Sequence, residues 1–255
     1  MNMPQITVAT INLRNRADRW RERRHLLVAQ LLDASPNLIS LQEISFPIAQ
    51  GRWIRNQLNA RLPEGVRPYR LIQLRKQHPV NRYLEGIGVL ANLPLLYSDS
   101  LNLGYGGRVA LRVNVELSNR QPLDFVATHL HHVAAEKEAR QEQALMLTGW
   151  LSDRRPVPAQ VVAGDFNELP SGPAIQIMKQ RFRSAYQQRH GSEPLATFPT
   201  ALLPLGDWSG CLDYIFVSSG IRQVPAAKIF CDKPDPDDDT LYPSDHVGLQ
   251  ATLEI

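Results

Sequence analysis

The sequence predicts an α+β protein of two packed, mainly antiparallel sheets with helices outside. Apolar runs of strand length are more numerous than helical segments. The clearest run, "RVALRVNVEL", sets Val109, Leu111, Val113, Val115 and Leu117 against Ala110, Arg112, Asn114 and Glu116, the alternation of a half-buried antiparallel strand. Too few helices intervene for a purely doubly wound parallel sheet, so the strands fit two sheets packed face to face.

In chain order, "ITVATINL" (6–13) reads as a strand. The following "RNRADRWRERRHLLVAQLLDAS" reads as a helix, with Asp18 as its cap and Trp20, Leu27, Leu31 and Leu32 along one face. Arg14, Arg16, Arg19, Arg21, Arg23 and Arg24 make the densest charge cluster of the chain. No aromatic stacking platform accompanies them, so a solvated helix face is favoured over a nucleic-acid contact. A strand at 36–44, a helix at 53–62 and strands at 69–75 and 86–92 follow. After 108–117 come a strand at 123–132 and a helix at 135–151, supported by Glu136 and Arg140 at i,i+4. The strand "AQVVAGDFN" (159–167), a helix at 172–182 with Pro173 in its first turn, and a strand at 211–219 come next. An acidic, proline-rich loop (232–245) leads to a closing strand, 246–255.

The chain has 255 residues, 43 % of them hydrophobic, 21 % charged, with a formal charge of +3. A large core is possible and disorder is disfavoured. The mild positive charge suits an anionic substrate. Without repeats or linkers, residues 1–255 read as one domain. Cys211 and Cys231 suggest ordinary reduced thiols rather than a disulfide framework or zinc site. With no visible signal peptide and no apolar run long enough for a bilayer, the expectation is a cytoplasmic protein.

Function is written at the strand ends. Asp165 and Asn167 are two apart on an extended chain, so both project to one side while Phe166 projects to the other. Asn12, Glu43, His129, Asp213, Asp245 and His246 also end apolar runs or follow their loops. Strand ends gathered on one edge of a sandwich converge on one cleft. Hard oxygen donors such as Glu43, with Asn12 and Asp245, suit Mg²⁺ or Mn²⁺ rather than zinc. Histidines beside carboxylates suit orientation and proton transfer. The chain has no Gly-x-Ser-x-Gly, no glycine-rich phosphate loop and no His-Glu-x-x-His. Metal-assisted hydrolysis with water as nucleophile remains.

The motifs "TINL", "LQEI", "THL", "GDFN", "LDYIFV" and "SDHVGL", in this order across nearly the whole chain, resemble the endonuclease/exonuclease/phosphatase superfamily with its deoxyribonuclease I-like fold. The resemblance implies a four-layer αββα sandwich with its active site at one rim, and Mg²⁺-dependent hydrolysis of a phosphate ester. It implies Glu43 as principal metal ligand beside Asn12, Asp165 as the group that orients or deprotonates water, and Asn167 as holder of the phosphate or the aspartate. His246, paired with Asp213, stabilises the phosphoryl charge or shares in proton transfer, and Asp245 anchors the metal or the histidine. His129 stands where deoxyribonuclease I-like members and several phosphatases carry a histidine, with Glu85 as its implied partner. Apurinic nucleases of this fold place an aspartate where Arg14 stands, so Arg14 is assigned to a substrate phosphate.

A phosphodiesterase or phosphatase acting on a phosphorylated small molecule, lipid headgroup or nucleic acid is the leading expectation, with no protein partner implied. A deoxyribonuclease I-like DNA or RNA endonuclease is the alternative. A catalytically inactive binding module is the alternative of another class, disfavoured because Glu43, Asp165, Asn167, Asp213 and His246 are all present. The proline-rich 195–208, with Phe198 and Trp208, is expected to rim the cleft and select substrate.

Overall fold

The computed structural model describes residues 4–78, 84–153, 157–203 and 209–255. One sheet runs in the order β11-β12-β1-β2-β4-β3. Its members are β1 (Gln5–Asn12), β2 (Leu38–Ser45), β3 (Arg70–Arg75), β4 (Glu85–Ala91), β11 (Gln223–Phe230) and β12 (Gly248–Glu254). The other runs β5-β6-β7-β8-β10-β9, from β5 (Leu95–Asn102), β6 (Val109–Glu116), β7 (Pro122–His129), β8 (Ala159–Asp165), β9 (Arg183–Ser184) and β10 (Asp213–Val217). Among the described residues, each sheet has a single parallel pair, β1 with β2 and β7 with β8, and the remaining pairs are antiparallel.

The inward faces of the two sheets share one apolar core, including Val8, Val89, Val113, Phe125, Val161 and Leu253. Outside the first sheet, α1 (Trp20–Ala34) and α2 (Gln50–Asn59) bury Leu27, Leu31, Ile54 and Leu58. Outside the second, α3 (Lys137–Asp153) and α4 (Pro173–Lys179) bury Ala144, Leu147, Ile175 and Met178. The expected αββα layering is therefore present. A short α5 (Ala185–His190) follows β9, capped by Ser184, whose side chain accepts from the Gln187 N–H.

Several local expectations change. The strand 109–116 is buried on both faces, because Arg112 lies under Trp150 and is neutralised by Asp99 at 2.6 Å and Asp124 at 3.6 Å. Asp18 does not cap α1: Arg19, in the left-handed region, precedes it without a side-chain cap, and Asp18 accepts from Arg14 Nε at 2.7 Å. Arg140 turns from Glu136 to the buried Glu168 at 3.0 Å, while Glu136 approaches His131. The arginine-rich helix is not a uniformly solvated face, since Arg23 is fully buried. β5 and β11 are strands that the sequence pattern did not single out. Both cysteines are free and buried. Among the described residues, no helix is long and apolar enough to cross a membrane.

Candidate active site

Strand direction gathers the polar ends. Asn12, His129 and Asp165 close β1, β7 and β8. Asp213 and Glu85 open the antiparallel β10 and β4, and Asp245 and His246 shortly precede β12. The register is direct: Asp165 lies opposite Asp213 on one side and His129 on the other. Gly164 is required there, because a Cβ at this position would sit 2.1 Å from Thr128 O and push β8 off β7. Glu43 is aimed by a bulge in β2, where the pairing shifts between Leu41 and Ile44 and Glu43 adopts φ 53°. Asn167 also has a positive φ, 49°. Strained polar residues of this kind cluster at functional sites.

A cleft of about 400 Å³ opens at this rim, and Asn12, Glu43, Asp165, Asn167, Asp245 and His246 are among its lining residues. Asp165 is its hub. Its Oδ2 accepts from Asn12 Nδ2 at 3.0 Å, lies 3.4 Å from His129 Nε2 and 3.9 Å from His246 Nε2. Its Oδ1 accepts the Asn167 backbone N–H at 2.8 Å. Burial and the neighbouring charge of Asp213 push Asp165 up to about 7, against the opposing pull of His246. His246 Nδ1 contacts Asp213 Oδ2 at 2.8 Å. Burial works against the imidazolium, but Asp213, Asp165 and Asp245 outweigh it and raise His246 to about 10. His129 is driven the other way, well below its ordinary value, by burial and by Arg108 and Lys76. One neutral and one protonated imidazole thus flank a carboxylate that titrates near neutrality. Groups pushed apart in this way are suited to acid–base chemistry.

The residues expected to hold the metal make contacts with their neighbours. Asn12 Nδ2 faces both Asp165 and, at 3.4 Å, Glu43 Oε1, while its Oδ1 accepts the Arg14 N–H at 2.9 Å. Asn12 therefore presents its amide N–H groups to the carboxylates, and its oxygen accepts from the backbone. Asp245 is occupied too: its Oδ2 lies 3.3 Å from Arg14 Nε, and its Oδ1 accepts from Ser244 Oγ. Arg14 does line the cleft, though it is tied to Asp18 and Asp245. The Glu85–His129 pair is not formed. Glu85 pairs with Lys76, which follows the neighbouring β3, and among the described residues His129 Nδ1 has no hydrogen-bond partner. Asn167 Nδ2 donates to Leu130 O at 3.1 Å, holding the two loops together.

Glu43 and Asp165 remain as hard oxygen donors around the Asn12 amide. Their crowding, with Asp165 raised by burial and by the charge of Asp213, fits a divalent cation of the Mg²⁺ type. Asp165, Asp213 and His246 also converge within 4.8 Å as a cluster able to hold a metal, but the Asp213–His246 contact already uses two of the three.

Sequence reasoning missed Asn15, whose Nδ2 donates to Glu43 Oε2 at 3.3 Å, and the cleft residues Lys76, Arg108 and His132. Arg108 precedes a strand, as the recognised groups follow theirs, and that was its only signal. Phe198 does reach the rim, its ring 4.8 Å from that of His246. Trp208 lies outside the described residues.

Arg23 ties the loops of this site together. Fully buried, it donates to the carbonyls of Leu13, Arg14, Asn15, Ala17 and Asp18 and, across the cleft wall, Pro243.

The model of one family, the Endonuclease/Exonuclease/phosphatase family, matches residues 9–246. The chain belongs to that family. Its reaction class, hydrolysis of phosphoesters, agrees with the rim geometry. Among solved structures, the human Nocturnin catalytic domain with bound sulfate is 21 % identical, with a TM-score of 0.75 over 98 % of this chain and 93 % of that one. An endonuclease/exonuclease/phosphatase from Bacteroides vulgatus is 20 % identical, with a TM-score of 0.76 over 98 % and 99 %. D. rerio TDP2 complexed with a single-strand DNA product is 15 % identical, with a TM-score of 0.79 over 98 % and 99 %. At these identities the likeness is one of fold. No curated protein matches the chain.

Proposed function

We propose that this protein is a Mg²⁺- or Mn²⁺-dependent phosphoesterase in which Asp165 activates water and His246 stabilises the phosphoryl group. The observation that carries the reading is the Asp213–His246–Asp165 line at the cleft rim. Glu43 would hold the cation, which would supply charge neutralisation at the phosphoryl oxygens, and Asp165 beside it is left to act on water. Asn12 and the Asn167 N–H fix Asp165 in one orientation. A carboxylate raised to about 7 is well matched to taking a proton from water near neutrality. His246, kept protonated by Asp213, offers a fixed positive N–H where charge develops. His129, neutral and buried, packs beside Asp165 without adding charge. Arg14 stands at the cleft wall as a second cation for the substrate phosphate.

The test is hydrolysis of bis-p-nitrophenyl phosphate and p-nitrophenyl phosphate with Mg²⁺, with Mn²⁺ and with EDTA. Turnover that EDTA abolishes and either cation restores is expected. The preferred ester divides diesterase from monoesterase, and plasmid nicking under the same conditions identifies an endonuclease. Turnover unaffected by EDTA contradicts the reading.

A further inference from the structure

Beside the catalytic cleft lies a second hollow of about 390 Å³, lined chiefly by Lys76, His78, Tyr105, Arg108, His131 and His132. Lys76, Arg108 and His132 line both cavities, so the two adjoin. Among the described residues, no carboxylate lines the second one. Two of its bases are met from outside: Lys76 by Glu85, and His131 by Glu136 at 2.6 Å.

Arg108 is different. It is 3 % exposed, yet it forms no ion pair among the described residues. Its Nη2 lies 3.2 Å from His132 Nδ1, and its Nη1 has no hydrogen-bond partner among the described residues. Glu43 and Asp165 act on it only at a distance, and burial prevails, pulling it down to about 10. A guanidinium buried without a carboxylate is costly. Its planar fork is suited to phosphate, and it forms the wall between the two hollows. Tyr105, 55 % exposed, stands at the outer edge with its ring 4.8 Å from that of His131.

We propose that Arg108, Lys76 and His132 form a second anion subsite, which takes a phosphoryl group next to the scissile one. The substrate class is then a phosphate ester bearing an adjacent phosphate. The proposal rests on the phosphoesterase reading for the placement of the first phosphate.

The experiment is calorimetric titration with thymidine 5′-monophosphate and thymidine 3′,5′-bisphosphate, probes that differ by one phosphoryl group. The bisphosphate is expected to bind about tenfold more tightly. In His132→Ala that advantage falls by about threefold or more, and in Arg108→Gln it nearly vanishes. Equal binding by the unaltered protein, or an advantage intact in both variants, overturns the proposal. Should Arg108→Gln fail to fold by circular dichroism, His132→Ala decides, because His132 is exposed. A thymidine tetranucleotide that displaces the bisphosphate at similar concentration assigns the second phosphate to a polynucleotide; failure to displace assigns it to a small molecule, and both outcomes support the subsite. Binding needs no turnover, so absent ester hydrolysis would refute the phosphoesterase reading separately.

Discussion

Replacing Arg23 with Met should damage both stability and activity. The side chain is fully buried and donates to six carbonyls, four of them at 2.8–2.9 Å. Bonds from a charged donor are worth about 1.5 kcal/mol or more each, so those four represent about 6 kcal/mol. Water entering the vacated loop returns part of this. A net loss of about 3–5 kcal/mol remains, as when one member of a buried polar pair is removed. For a chain of this size each kcal/mol lowers Tm by about 2 °C, which gives a drop of roughly 6–10 °C. The carbonyls belong to the loop carrying Arg14 and Asn15 and to Pro243, close to Asp245 and His246. Loosening them displaces both walls of the cleft, and misplacement by about 1 Å costs about 10²-fold in rate. Differential scanning calorimetry and ester hydrolysis read the two effects. Arg21→Met, at an exposed position of the same helix, serves as control and should change neither. Arg23→Met with unchanged Tm and unchanged kcat/KM would refute this account of the loop.

Two further outcomes are expected. Glu43→Gln should weaken Mg²⁺ binding by at least about tenfold in calorimetry, because it removes a charged oxygen donor; unchanged affinity would move the cation away from β2. Tyr69 is buried, its hydroxyl donates to Pro36 O, and burial raises its pKa to about 12. With the folded value above the unfolded one of about 10, its contribution is full below pH 10 and is lost as pH rises through about 12. Tyr69→Phe should therefore cost about 1 kcal/mol near pH 8, and the gap to the unaltered protein should shrink by about pH 11 in urea unfolding. A gap that widens with pH contradicts this sign.

The rim of the sandwich was legible in the sequence because its residues combine an apolar run with a polar end, a local pattern that survives folding. Asp165, Asp213, His129 and His246 were found this way, and the structure brings them together. What the sequence concealed depends on partners distant in the chain. Arg23 reads as one more charge on a basic helix, since nothing local distinguishes a solvated arginine from one that satisfies buried carbonyls. Glu85 has the right position for His129, but Lys76 from the neighbouring strand takes it. Arg112 looked like the solvent side of an alternating strand until Asp99, Asp124 and Trp150 covered it. β5 and β11 are sheet edges whose sequences lack a clean apolar alternation. β5 is largely exposed, and β11 carries Pro225 at a register irregularity, where an edge tolerates it.

The most direct test of the central claim compares Asp165→Asn and His246→Gln with the unaltered protein in Mg²⁺-dependent hydrolysis of bis-p-nitrophenyl phosphate. Both changes keep side-chain size and leave Glu43 in place. A fall in kcat of about 10²–10⁴-fold in each, with folding and Mg²⁺ binding retained in His246→Gln, is the predicted result. Near-normal kcat in either variant would place the chemistry elsewhere.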